Sequence, residues 1–448
     1  MKNMERAYSA PGKVLLVGGY LVLDPKYDSY VVAVSSRMHA VVSEEKYNET
    51  LDGFHIQFTS PQFNNECWNY SVNSQNGYVP VEVSGNRNPF LEKTVLNVLS
   101  FIGPASGKTF PNVIKIDIYS DTGYHSQNNS ITRSNGLKSF QFHKTGIAQV
   151  PKTGLGSSAG LVVVCTTALL SCFLNDNPLL DELDLIHNLS QLSHCQAQGK
   201  IGSGFDVAAA VYGSIKYRRF QPDLISRLPT LSSDNYREYR FEMSKLIKSN
   251  WNIKHESIVL PAGLRLVLGD VRGGSETVEL VKKVKLWYTN NYPRSEEIYN
   301  NINEANLSFI DAMLQLQQLQ KADNDKYKGL LKAINTGNDQ QFKEILHLKA
   351  AIAKIRENFR LITQESGADI EPEAQTKLLD ACSQLNGVIG GVVPGAGGYD
   401  AVSIISTEDT NLNENTTSSE FDSVTWLDLK QEAVGLKIEN PEYYRDLS

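Results

Sequence analysis

A nearly unbroken apolar run from Ala159 to Leu174 constrains the fold of this chain more than any other feature. The run reads AGLVVVCTTALLSCFL. Leu161, Cys165, Leu169 and Cys172 recur within it at helical spacing, which predicts a helix from about 157 to 173. So apolar a helix must be buried, and the segment immediately before it therefore belongs to a folded core.

That preceding segment is the glycine-rich stretch KTGLGSSAG at 152–160. A flexible linker is excluded because the stretch leads directly into a buried helix. No lysine follows its last glycine, so it is not a Walker loop. Gly154, Gly156 and Ala159 fit the pattern G-x-G-x-x-A, but Pro151 argues against the buried parallel strand that a dinucleotide loop requires. The remaining interpretation is a phosphate cradle at a helix N-terminus.

Composition limits the class of protein. The chain has 448 residues, enough for two domains, with 21% charged and 41% hydrophobic residues, as in ordinary globular proteins. A net charge of -7 argues against nucleic acid as a main partner. Its 5 cysteines are scattered with no C-x-x-C pair, and the first residues carry no apolar signal segment. We expect a cytoplasmic protein without a membrane partner.

Periodicity predicts mixed strands and helices. Short apolar runs such as KVLLVGGYLVL and VIKIDIYS predict strands before residue 150, and LRLVLGDV predicts another at 264–271. Helical patterns occupy roughly 180–198 and 275–365, whereas 124–146 is polar and is predicted to be a loop. Without a regular βαβ repeat, the pattern favours the α+β class.

Two further glycine-rich stretches accompany the first. SAPGK runs from Ser9 to Lys13, and VPGAGGYDAVSII begins at Val393. Each alone is more typical of a turn than of a site. The ordered set SAPGK, GLGSSAG and PGAGGYD, together with KIGSGFD from Lys200 to Asp206, resembles the GHMP kinases, and the likeness extends over almost the whole chain.

The resemblance implies a two-domain fold with the site between the domains. The N-terminal domain, 1–220, would be of the ribosomal S5 domain 2 type and the C-terminal domain, 221–448, ferredoxin-like. The implied reaction transfers the γ-phosphate of ATP, with Mg²⁺, to a small molecule, and the motifs are most similar to those of fungal members that act on 5-phosphomevalonate. Two alternatives stay open: a family member acting on an alcohol such as mevalonate, and a sensor that binds ligand without chemistry. We expect a monomer, since no coiled-coil segment is evident.

Residue roles follow from the same resemblance. Lys13 and Asp206 match the family's catalytic pair, although an aspartate at this place could instead cap the following helix. Ser158 is the implied Mg²⁺ ligand. The implied nucleotide contacts are Lys152, Gly154, Leu155, Gly156, Ser157, Ser158 and Ala159. The implied wall at the substrate end is Gly395, Ala396, Gly397 and Gly398.

The chain departs from the family pattern at two positions. Many members have a glutamate where this chain has Gly19. An acidic metal-binding residue found in some members, on the helix before GSGFD, has the uncharged Gln198 as its nearest match. We therefore expect Mg²⁺ to be held mainly by ATP, Ser158 and water, which suits a cation that dehydrates reluctantly.

A phosphate acceptor changes the electrostatic requirement. The second pKa of a phosphomonoester is about 6, so its attacking oxygen is largely deprotonated at pH 7. Asp206 is then predicted to orient Lys13 rather than to remove a proton, and cations or N–H donors must hold two polyanions together. The predicted acceptor-phosphate site is a helix N-terminus. Its residues are Arg272, Ser275 and Thr277, with Lys200 and His125 as further predicted contacts and Arg37, Lys93, Lys216, Arg218 and Arg219 as other candidate cations.

Overall fold

The computed structural model describes residues 5–447 apart from 46–52, 74–76, 78, 104–111, 175–178, 233 and 274–276. Within this part of the chain, the strands form two main sheets, against which helices pack, and a separate small hairpin. The predicted α+β class is confirmed, and the mixture of mainly antiparallel strands with helices gives the layers expected of that class.

The first sheet is centred on two long strands, β1 (Arg6–Val17) and β2 (Ser29–Glu45), which pair antiparallel. Their register shifts between Pro11 and Gly12, a bulge that re-aims the following residue, Lys13. The other strands of this sheet are β3 (Phe54–Ser60), β4 (Glu66–Val72), β5 (Val81–Glu82), β6 (Val113–Ser120), β9 (Ile215–Arg218), β10 (Lys254–Ser257), β15 (Gln431–Glu432) and β16 (Lys437–Glu439).

Helices pack against this sheet. The predicted helix is confirmed as α2 (Ser157–Phe173), and most of its residues are buried, as the apolar run requires. The helix predicted at about 180–198 is confirmed as α3 (Leu183–Gln198), which ends at a left-handed Gly199. The remaining helices of this region are α1 (Pro89–Ile102), α4 (Phe205–Tyr212), α5 (Asp223–Ser226) and α6 (Tyr236–Lys248).

The second sheet has the strand order β12–β13–β11–β14. Its strand β11 (Leu264–Val271) coincides with the predicted strand, and β12 (Val388–Val392) and β13 (Ala401–Thr407) flank the third glycine-rich stretch. The other elements are β14 (Val424–Leu427), α7 (Thr277–Asn290), α8 (Arg294–Ala322), α9 (Asn324–Asn335), α10 (Lys343–Ser366), α11 (Glu373–Ser383) and α12 (Leu412–Asn415).

Two local predictions were wrong. The segment 124–146 is not only a loop, because it contains the hairpin β7 (Ile131–Ser134) and β8 (Ser139–Phe142); Phe140 and Phe142 alternate with polar residues and are buried. The run KVLLVGGYLVL is not one strand, because the backbone turns at Gly18, where φ is 110°, into a short 3-10 helix at Leu21–Leu23.

The predicted domain division at residue 220 stays a prediction. Strand β9 ends just before it, whereas β10, β15 and β16 lie beyond it and pair within the first sheet. The hydrophobic core is continuous between the two regions, where the rings of Tyr30 on β2 and Phe309 on α8 lie 6.4 Å apart. In the described residues, none of the helices has both the length and the apolar character needed to cross a bilayer.

Candidate active site

The glycine-rich stretch forms a tight loop at the N-terminus of α2. Gly154 (φ 78°) and Gly156 (φ 82°) are both in the left-handed region that glycine favours, and Gly156 is the helix N-cap. The loop is bound to β1, because the Lys13 backbone N–H donates to the Leu155 carbonyl at 3.0 Å. The first turn of an α-helix has N–H groups without intrahelical acceptors and the positive end of the helix dipole, so this loop suits an anion.

Lys13 lies against the same loop. Its Nζ donates to the Gly154 carbonyl at 2.9 Å and lies 5.3 Å from the centroid of the Phe205 ring. Burial lowers the pKa of Lys13, and the negative charge of Asp206 partly opposes that shift. The ammonium is therefore held in place by a carbonyl and kept protonated in part by a carboxylate.

Asp206 lies in the first turn of α4, and Gly204 (φ 80°), not Asp206, is the N-cap. The capping alternative is therefore wrong. Asp206 Oδ1 accepts from the adjacent Val207 N–H at 3.0 Å. Although both residues are described, the structure shows no ion pair within 4.0 Å between Asp206 and Lys13, so the influence of one on the other is through space.

His194 is a site residue that the sequence analysis missed. Its Nε2 lies 3.0 Å from Ser158 Oγ and 3.9 Å from Asp206 Oδ2, and the residue is 3% exposed. Burial lowers the pKa of His194, which favours the neutral ring. His194 precedes Gln198 by one helical turn on α3, and Gln198 Nε2 lies 3.4 Å from its Nε2. The signal in the sequence was this spacing: the helix face bearing Gln198 also bears His194.

Two adjoining cavities open beside these residues. The smaller cavity has a volume of about 490 Å³, and Lys13, Lys152, Gly154, Leu155, Asp270, Gly397 and Asp400 are among its lining residues. The larger cavity has a volume of about 620 Å³, and Tyr20, His194, Lys200, Asp206, Lys282 and Lys285 are among its lining residues. Both cavities are lined by Leu15, Phe205, Thr277, Gly395 and Ala396.

The third glycine stretch joins the two halves of the chain at the site. Tyr20 donates its hydroxyl to the Ala396 carbonyl at 2.8 Å, and the Gly395 N–H donates to the Leu15 carbonyl at 3.4 Å. A Cβ at Gly19 would lie only 2.7 Å from the Gly395 carbonyl oxygen. This close approach accounts for a glycine at position 19, because a larger side chain would collide with the Gly395 carbonyl.

Only some of the predicted acceptor-binding residues line the cavities. Thr277 begins α7 and lines both cavities, and Lys200 lines the larger one. Arg272 is exposed and lies outside both linings, and Ser275 lies outside the described residues. His125 is also outside both linings; it is buried against the Phe63 ring at 4.8 Å, and burial lowers its pKa to about 4. Ser157, Ser158, Ala159 and Gly398 border the loops without lining either cavity.

Several candidate cations instead stabilise the framework. Lys216 and Arg218 both pair with Asp28, at 3.4 and 2.6 Å. Arg219 is buried and donates to the Leu23 and Gly202 carbonyls, both at 2.7 Å, so it holds the turn that leads into α4. Arg37 donates to Ser9 Oγ at 2.8 Å and is likewise buried. Lys93 lies outside both linings.

Comparisons with known proteins agree with this geometry. Residues 130–214 match the family model for the GHMP kinases N terminal domain. The chain is 44% identical over 98% of its length to a phosphomevalonate kinase of Candida albicans, of which 99% is covered, and 33% identical over 99% to one of Gibberella zeae, also 99% covered. The solved structure of a Streptococcus pneumoniae phosphomevalonate kinase in complex with phosphomevalonate and AMPPNP aligns with a TM-score of 0.59 at 15% identity, covering 96% of this chain and all of that one. At that identity the likeness shows the fold.

Proposed function

This chain belongs to the phosphomevalonate kinases of the GHMP kinase family, and we propose how its site divides the work of the reaction. The protein transfers the γ-phosphate of ATP to (R)-5-phosphomevalonate, giving 5-diphosphomevalonate and ADP in the mevalonate pathway of isoprenoid and sterol biosynthesis. The domain types, S5-like and ferredoxin-like, remain predictions within the GHMP kinase fold.

The glycine loop binds the phosphates of ATP. Left-handed glycines at 154 and 156 let the backbone approach the nucleotide, and the first-turn N–H groups of α2 are available to bind its negatively charged phosphates. Lys152, Leu155, Ser157 and Ala159 complete this cradle. Support comes from the Lys13–Leu155 and Lys13–Gly154 hydrogen bonds, which hold the loop in one conformation beside the cavities.

Ser158 would hold Mg²⁺, together with phosphate oxygens of ATP and water. The residues present fit a hard cation, because the Ser158 hydroxyl and the Asp206 carboxylate supply oxygen atoms. Both groups lie near the His194 ring, at 3.0 and 3.9 Å from its Nε2. When bound, Mg²⁺ neutralises charge on the transferring phosphoryl group. His194 holds the Ser158 hydroxyl in the orientation that this role requires.

Lys13 supplies the fixed positive charge between the two polyanions. The deprotonated acceptor oxygen attacks the γ-phosphorus, and the bond between the γ-phosphorus and the leaving oxygen of ADP breaks, so no proton has to be removed at pH 7. Asp206 keeps Lys13 protonated against the effect of burial. This refines the prediction that Asp206 orients Lys13, because the direct contact of Lys13 is with the Gly154 carbonyl rather than with Asp206.

The acceptor occupies the larger cavity. Among the described residues of its lining, Lys200, Lys282 and Lys285 lie against a single carboxylate, that of Asp206, and this excess of positive charge is the observation that carries the proposal. The turn from Gly395 to Gly397 forms the wall at the reacting end, with Gly398 just outside both linings, and Thr277 lies where the two cavities meet. Arg272, Ser275 and His125 stay predictions for the acceptor phosphate.

The test is ADP release from Mg-ATP with 5-phosphomevalonate, mevalonate or no acceptor. We expect a strong preference for 5-phosphomevalonate and a lowered kcat in Lys13→Met. The control Lys26→Met should change little, because the exposed Lys26 side chain lies outside both cavity linings and pairs with Asp24 at 3.7 Å. Unchanged kcat in Lys13→Met would contradict the assigned role of Lys13, and a preference for mevalonate would contradict the acceptor assignment.

We also propose a cytoplasmic monomer. All 5 cysteines are free thiols, which fits a reducing compartment. Size-exclusion chromatography with light scattering would test the oligomeric state, and a fluorescent fusion expressed in fungal cells would test the compartment.

A further inference from the structure

One wall of the larger cavity is a single face of α7. Thr277, Val278, Val281, Lys282 and Lys285 all line that cavity. They recur at helical spacing, and the opposite side of the helix, with Leu280, Val284 and Trp287, is buried in the protein. The cavity face is open: Val278 is 62% exposed and the Lys282 side chain 74%. This apolar and basic helix face is therefore exposed toward the cavity.

The chemistry of this face changes along the helix. It begins with the hydroxyl of Thr277, continues with the apolar Val278 and Val281, and ends with the cations Lys282 and Lys285. From 277 to 285 the helix rises about 12 Å. Thr277 also lines the smaller cavity, together with Lys13 and the glycine loop, so the helix start lies at the reacting end and the two lysines lie at the remote end.

The acceptor has a matching order of groups. Its phosphate must lie beside the γ-phosphate of ATP, and its carboxylate is at the opposite end of a short carbon chain bearing a methyl group. Among the described lining residues, the one carboxyl group belongs to Asp206, at the reacting end. Lys282 forms a long ion pair, 3.9 Å, with Glu279 of its own helix. The remote end therefore has positive charge available for an anion.

We propose that Lys282 and Lys285 bind the carboxylate of the acceptor, with Val278 and Val281 against its carbon chain. Helix α7 then selects the acceptor by its length and by the charge at its far end. This inference rests on the proposed function, since it assumes that the acceptor lies in the larger cavity with its phosphate toward Lys13.

The experiment compares 5-phosphomevalonate with its methyl ester, in which the carboxylate is neutral. The variants are Lys282→Met/Lys285→Met and the control Lys283→Met, which removes one positive charge from the same helix outside the cavity lining. Charge-assisted hydrogen bonds of about 1.5–3 kcal/mol correspond to a preference of roughly 10–100-fold in kcat/KM for the acid. We expect this preference in the wild type and in the control.

In the double variant, we expect the preference to fall to within about threefold through a higher KM for the acid, while turnover of the ester and KM for ATP stay near wild type. Retained ester turnover shows that the double variant is folded. A double variant that still prefers the acid, or a control that loses the preference equally, would overturn the inference. A wild-type protein active on both compounds without preference would overturn this inference alone, whereas one active on neither would refute the proposed function itself.

Discussion

Replacing Gly156 with alanine tests whether the glycine loop positions Lys13. Gly156 has φ 82° and ψ 42°, and a Cβ at this position would lie 3.0 Å from Lys13 Cε and 3.7 Å from Asp206 Cβ. The Lys13 side chain must therefore move by a few tenths of an ångström. Since its Nζ is anchored to the Gly154 carbonyl at 2.9 Å, the movement displaces the ammonium from its place in the site.

Gly154→Ala is the matched control. Gly154 has φ 78°, so alanine is strained to the same degree, but nothing lies within 4 Å of its Cβ position. Left-handed backbone costs an L-residue about 1–2 kcal/mol, and both variants should lose that much free energy of unfolding. Gly154 borders the smaller cavity, so its methyl group should raise KM for ATP without moving Lys13.

The two variants should then differ in kcat. Misplacing a catalytic group by a fraction of an ångström to 1 Å can lower a rate by up to roughly 10²-fold, so we expect kcat of Gly156→Ala to fall about 10–100-fold and that of Gly154→Ala to fall much less. Urea unfolding measures the shared strain, and steady-state ADP release measures kcat and KM. Equal kcat in the two variants, at equal loss of stability, would refute the positioning of Lys13 by this loop.

Three further predictions address charge and stability. In Asp206→Asn, Lys13 loses the charge that raises its pKa, so it deprotonates at lower pH and the basic limb of the pH–kcat profile should move to lower pH; a profile that instead loses its acid limb would indicate a general base. In His194→Phe, the Ser158 hydroxyl loses its hydrogen-bond partner at 3.0 Å. A hydrogen bond worth about 1 kcal/mol predicts roughly fivefold lower kcat/KM for ATP and a higher half-saturating Mg²⁺ concentration in a Mg²⁺ titration. Unchanged values would contradict the orienting role of His194. Glu371 is 2% exposed and accepts two hydrogen bonds from Arg356, at 3.0 and 2.9 Å, so Glu371→Gln should cost about 3–5 kcal/mol in urea unfolding, and a loss below about 1 kcal/mol would contradict the assigned burial.

Local pattern was sufficient for elements whose own residues decide their structure. The bounds of α2 followed from an apolar run that cannot be solvated, and β11 followed from a short apolar segment between turns. The hairpin β7–β8 was missed because only Phe140 and Phe142 of its second strand are buried, and two residues carry little periodic signal. The loop at Gly156 was predicted because its left-handed backbone conformation is one that glycine favours, and glycine is visible in the local sequence.

The sequence by itself determined the family and the reaction class, and it predicted the phosphate loop and the proximity of Lys13 to Asp206, because each of these is encoded in a short motif. Only the tertiary structure decided that His194 contacts Ser158 and that Lys285 lines the larger cavity while Arg219 supports the framework. The physical reason is that a side chain's charge is local, whereas its partners are not. A lysine or histidine looks the same in the sequence whether its side chain contacts solvent, a carbonyl or a substrate. Its contacts are set by the packing of elements that are distant in the chain.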